Sequence, residues 1–206
     1  MDLRLIVITD AALAAPRPVA DVVRAALEAG APAVQLRDKR ADARSLFEQA
    51  RMLLRLTREF HALLFVNDRV DVALAAGADG VHLGPDDLPV AAVRRATPPE
   101  FLVGFSTDDP HLAQRAAAAG ATYIGCGAVF GTTTKNVGAE RIGPEGLRRV
   151  VQAVSVPVIG IGGVSPGNVS EIARAGAAGA AAIGAVMAAN DPHAAVRALL
   201  APFARP

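Results

Sequence analysis

One cysteine, two lysines and no block of like charge mark what this chain does without. Cys126 has no partner for an intramolecular disulfide, and the N-terminus MDLRLIVITD has no apolar segment ending in a small-residue cleavage site, so a cytoplasmic protein is expected. Basic and acidic residues number 21 and 20, a net charge of +1, which leaves no electrostatic footprint for nucleic acid or anionic lipid. Gly, Arg or Glu interrupts each alanine-rich stretch before the ~20 apolar residues of a spanning helix, so no membrane segment is expected. His61, His82, His111 and His193 lack zinc-ligand spacing, and there is no Walker lysine motif; GCGAVFG, Gly125 to Gly131, misses the dinucleotide pattern by one residue. His82 and Cys126, both inside strand-like runs, read as a packed or hydrogen-bonded histidine rather than a base, and as a small hydrophobe. The partners expected are small molecules held at local sites, and a homo-oligomer stays open.

What is present is apolar and periodic. Hydrophobic residues make up 52% of 206, enough for a sizeable core in one domain spanning residues 1–206. Eight short apolar runs begin at Leu3, Ala33, Leu63, Asp79, Phe101, Thr122, Val156 and Gly179, separated by segments of helical spacing. In VADVVRAALEAG, for example, Val19, Val22, Val23, Ala26 and Leu27 share one stripe. Strands apolar throughout, each followed by an amphipathic helix, imply a parallel sheet covered by helices.

Four helix ends repeat nearly the same tail, with Gly30, Gly77, Gly120 and Gly176 where a left-handed residue would stop the helix. Each interval between them holds about two βα units, and eight units close into a single (β/α)8 TIM barrel; an open doubly wound sheet is the alternative.

A barrel puts its chemistry where strands end. Those positions carry Gln35, Arg37 and Lys39 after the second run, Asn67 and Asp68 after the third, Asp87 after the fourth and Ser106 at the end of the fifth. Thr132, Thr134 and Lys135 follow the sixth, Gly162 and Gly163 the seventh, and Ile183 and Gly184 the eighth. Both lysines therefore fall on one rim, although arginine supplies the other 19 basic residues.

Asp68 and Asp87 follow neighbouring strands, about 4.8 Å apart in a parallel sheet, so their carboxylates can converge on a hard cation such as Mg²⁺. Each also precedes a helix and could serve as its N-cap. Arg37, Lys39 and Lys135 near such a pair would suit a diphosphate bridged by the metal. Gly162 and Gly163, with a helix expected from Ser165-Pro166, offer backbone N–H groups to a monophosphate, or simply permit a tight turn.

The stretches VQLRDK, VNDRVDVALAAGADGVHLGPDDLP, GFST, TTTK, VIGIGGVSPGN and AAIGAVMAANDP, in this order, resemble the thiamine phosphate synthase family over nearly the whole chain. The resemblance implies a barrel that joins hydroxymethylpyrimidine pyrophosphate to thiazole phosphate, releasing pyrophosphate by a dissociative route. It implies Mg²⁺ on Asp68 and Asp87, and the pyrimidine pyrophosphate on Gln35, Arg37, Lys39, Asn67 and Lys135. Ser106 would stand beside the reacting ring, with Ser106 and Lys135 as the catalytic residues. Thiazole phosphate would fall to Thr132, Thr134, Gly163, Ile183 and Gly184.

Departures from the family pattern are Ala128 and Gly131 where prolines are frequent, Gly184 where serine is frequent, and Asp38 where glutamate is usual. The related thiazole tautomerase branch would need no Mg²⁺ and carries a histidine at the position of Ala128; this chain has no histidine there and keeps the diphosphate set. A non-catalytic thiazole phosphate-binding barrel is a further alternative.

Overall fold

Leu5 and Val7 on one strand face the helices while Ile6 and Ile8 face the barrel interior, so both sides of the strand are buried and the run reads as continuously apolar. The same logic produces all eight strands: β1 (Leu5–Ile8), β2 (Ala33–Leu36), β3 (Leu63–Asn67), β4 (Gly80–Leu83), β5 (Leu102–Ser106), β6 (Tyr123–Cys126), β7 (Val158–Ile161) and β8 (Gly179–Ala182). Every neighbouring pair is parallel, and β8 returns to β1 through Leu5↔Ala180, Ile6↔Ala181 and Val7↔Ala182, closing a (β/α)8 barrel. This is a computed structural model that describes residues 1–131 and 141–204.

The helices are α1 (Ala11–Ala14), α2 (Val19–Glu28), α3 (Ala43–Glu59), α4 (Val70–Ala76), α5 (Val90–Ala96), α6 (Pro110–Ala118), α7 (Gly143–Ala153), α8 (Val169–Arg174), α9 (Gly184–Met187) and α10 (Pro192–Leu200). The stripe read in α2 is real: Val22, Val23, Ala26 and Leu27 are buried. Gly30, Gly77, Gly120 and Gly176 all have positive φ, between 76° and 102°, as the helix-stop repeat requires. Inside the barrel, Ile6, Ile8, Phe65, Tyr123 and Ile159 pack with small residues such as Ala33 and Ala181, filling the interior rather than leaving a pore.

The structure corrects one boundary. Regular helix after β7 begins at Val169, because Pro166–Asn168 form a turn in which the Asn168 side chain accepts from the Ser165 N–H at 2.8 Å and donates to the Gly163 carbonyl at 2.9 Å. The short helices α1 and α9 escaped the periodicity because four residues carry no periodic pattern. Among the described residues, no helix is long and apolar enough to cross a membrane.

Candidate active site

The C-terminal ends of β2, β3 and β4 meet through side chains the sequence had singled out. Gln35, almost fully covered at the end of β2, donates from Nε2 to Asn67 Oδ1 at 2.8 Å across the β2–β3 step, fixing the Asn67 amide. Lys39, exposed in the following loop, places its ammonium 4.0 Å from Asp68 Oδ2. That loop is held by Thr9, which the sequence reading passed over, and by Asp38, noted there only as a departure from the family pattern. Thr9 Oγ1 accepts from the Arg37 N–H at 2.9 Å, and the Asp38 carboxylate accepts from the N–H groups of Arg40 and Ala41. These bonds, with one from Gln49, hold the Asp38 carboxyl below its ordinary range. Asp38 thus turns the loop that carries Lys39, as short acceptor side chains commonly do.

Asp68 and Asp87 come within hydrogen-bonding reach of each other. Burial first, then the hydrogen bond and the like charge of Asp87, push the Asp68 carboxyl up to about 6, while Lys39 and Arg37 pull it down. Neither residue caps a helix. The N-cap positions of α4 and α5 are Arg69 and Pro89 and receive no side-chain cap, whereas Asp10, Asp42, Asp109 and Asp191 each cap a helix with their carboxylates. Asp68 instead adopts a φ of 63°, in the left-handed region, with its N–H donating to the His82 carbonyl at 2.8 Å. Asp87 turns back to accept from the Gly84 N–H at 2.6 Å. Two carboxylates facing one another beside cations form a set of oxygen donors suited to a hard divalent ion, and no third His, Cys, Asp or Glu joins them among the described residues.

Ser106, half-buried at the end of β5, lies 2.7 Å from His82 Nε2, and His82 Nδ1 lies 2.9 Å from the Tyr123 hydroxyl. The histidine is hydrogen-bonded, as its place in a strand suggested. Tyr123 was missed, since only barrel register brings β4, β5 and β6 together. Cys126 is fully buried and its thiol is pushed up to about 12 by burial, then by Asp108, which suits a packed hydrophobe.

At the ends of β7 and β8, Gly162 and Gly163 have φ of 96° and 65°. A Cβ on Gly163 would overlap the Gly131 carbonyl oxygen, so this position needs glycine to pass the loop after β6. Ile183 and Gly184 follow β8 on the same rim, and among the described residues a Cβ on Gly184 would meet only Leu13 Cδ1 at 3.9 Å. Thr132, Thr134 and Lys135 lie outside the described residues. A cleft of about 410 Å³ at the opposite end of the barrel gathers no comparable set of groups; its Arg4 is paired with Asp2.

A closed parallel barrel whose strand-end rim joins a carboxylate pair, cations and a glycine turn defines a class: a (β/α)8 barrel enzyme equipped for phosphorylated small molecules. Residues 5–186 match the family described as thiamine monophosphate synthase. Thiamine-phosphate synthase of Roseiflexus sp. strain RS-1 is 49% identical over 198 residues, covering 96% of this chain and 84% of the relative. The protein of that name from Chloroflexus aurantiacus is 47% identical, covering 98% and 93%. The solved structure of thiamine phosphate pyrophosphorylase from Pyrococcus furiosus superposes with a TM-score of 0.89 at 44% identity, covering 98% of this chain and 95% of that one. The chain belongs to the thiamine monophosphate synthase family.

Proposed function

We propose that the protein is a transferase joining hydroxymethylpyrimidine pyrophosphate to thiazole phosphate, giving thiamine phosphate and pyrophosphate. The observation that carries this reading is the Asp68–Asp87 pair with Lys39 and Arg37 beside it on the rim of a barrel of this family. Mg²⁺ held by Asp68 and Asp87 would neutralise charge on the departing diphosphate. A pair of carboxylates suffices, because Mg²⁺ keeps several waters and takes its remaining ligands from phosphate.

Arg37, Lys39 and Lys135 hold the diphosphate and stabilise the charge that grows as the C–O bond breaks. Gln35 orients Asn67, and Asn67 and Ser106 orient the pyrimidine, whose electron-rich ring supports a transient carbocation. Thr132, Thr134, Gly163, Ile183 and Gly184 hold the thiazole phosphate so that its ring nitrogen faces that carbon. No strong protein nucleophile is required, and the buried thiol of Cys126 is not suited to be one.

The test is incubation with both substrates and Mg²⁺, with thiamine phosphate and pyrophosphate measured. Their formation in equal amounts is expected. Isomerised thiazole phosphate alone, or binding without turnover, would refute the synthase reading.

A further inference from the structure

Tyr123, His82 and Ser106 form a hydrogen-bonded file that leads from the sealed interior of the barrel to its functional rim. Tyr123 is 1% exposed, whereas His82 and Ser106 are half-buried. Two glycines make room for the file. A Cβ on Gly104 would overlap the Tyr123 ring and come within 2.6 Å of His82 Nδ1, and one on Gly125 would lie 3.0 Å from His82 Cε1 and 3.4 Å from Ser106 Oγ. Strand interiors disfavour glycine, so two of them facing one hydrogen-bonded file indicate a space reserved for it.

The direction of the bonds follows from the phenol. Burial holds the Tyr123 hydroxyl protonated, far above the ordinary tyrosine range. Its hydrogen must have an acceptor in so dry a place, and His82 Nδ1 at 2.9 Å is the partner within reach among the described residues. A neutral imidazole accepting at Nδ1 carries its proton at Nε2 and donates it to Ser106 Oγ. The Ser106 hydrogen then points away from His82.

We infer that His82, its tautomer set by Tyr123, is a positioning residue that makes Ser106 a hydrogen-bond donor towards an acceptor on the bound substrate, such as a ring nitrogen. This rests on the proposed synthase reading for the identity of that substrate. In this role the His82 imidazole acts through Ser106 rather than on the substrate itself.

Two measurements decide it. Nitrogen-15 NMR of the imidazole in the intact protein should find Nδ1 bare and Nε2 protonated, with Tyr123→Phe releasing a tautomer mixture; a protonated Nδ1 in the wild type overturns the inference. In kinetics, His82→Asn, whose amide reaches the Nδ1 position only, should lower kcat about 3- to 10-fold with a smaller change in KM, the scale of one hydrogen bond. His82→Gln, whose amide nitrogen approximates Nε2, should recover most of that loss. In a Ser106→Ala background, His82→Asn should cost nothing further. Additive losses, or no rescue by glutamine in a folded variant, would overturn the positioning role. A wild-type protein that makes no thiamine phosphate would sink the synthase reading instead, while the tautomer would still decide the direction of the file.

Discussion

The Lys39 ammonium stands 4.0 Å from the Asp68 carboxylate, so one of only two lysines in the chain meets one half of the acidic pair. At that range and exposure the ion pair contributes little to stability. Its place matters more: a cation and the carboxylate pair stand together, as the proposed diphosphate bridged by a divalent ion would require. Lys39→Met should therefore reduce turnover roughly a hundredfold, the scale for one preorganised charge, with thiazole phosphate affinity nearly unchanged. Lys135→Met should act in the same sense. Steady-state kinetics alongside a thiazole phosphate titration would check both, and wild-type kinetics in both variants would remove the lysines from the site.

The acidic pair makes a pH prediction. Asp68 titrates at about 6 in the fold against 3.8 as its ordinary value, so its contribution to stability is complete below about pH 4 and is lost as pH rises through about 6. In chelator, Asp68→Asn should gain melting temperature relative to wild type as pH climbs from about 5 to about 7.5. Mg²⁺ should then raise the wild-type melting temperature at the upper pH and leave the variant unmoved. Parallel melting curves at every pH would contradict the coupling.

Glycines on the rim should respond differently. Gly184→Ser has room and should change thiazole phosphate affinity by about 0.5–1.5 kcal/mol, one neutral hydrogen bond. Gly163→Val meets the Gly131 carbonyl and a left-handed backbone, so it should lose both melting temperature and phosphate binding. Calorimetry on both variants checks this; normal binding in Gly163→Val would place the monophosphate elsewhere.

Within the barrel, Gly104→Ala forces a methyl group into Tyr123 and His82. A loss of about 1–3 kcal/mol is expected in chemical denaturation, typical of overpacking. An unchanged midpoint would mean that the space beside Tyr123 is not tightly filled.

Much of this was legible in one sequence, for identifiable reasons. A parallel sheet buried on both faces writes each strand as an apolar run, and Gly30, Gly77, Gly120 and Gly176 mark where helices must stop. Asp68 and Asp87 could be placed on the rim by position alone. Their purpose could not, because an aspartate between strand and helix looks the same as cap or ligand; the left-handed φ of Asp68 and the turn of Asp87 towards Gly84 exclude the cap, and metal binding stays a proposal. The Tyr123–His82–Ser106 file was illegible for another reason. Its bonds cross β4, β5 and β6, and the alignments His82↔Gly104 and Ser106↔Gly125 exist only once the register is set.

The most direct measurement is the product assay with both substrates, run with Mg²⁺ and with chelator, on the wild type, Asp68→Asn and Asp87→Asn. Thiamine phosphate is expected from the wild type with Mg²⁺, little in chelator, and strongly reduced turnover in both folded variants. Equal product formation by all three proteins in chelator would contradict it.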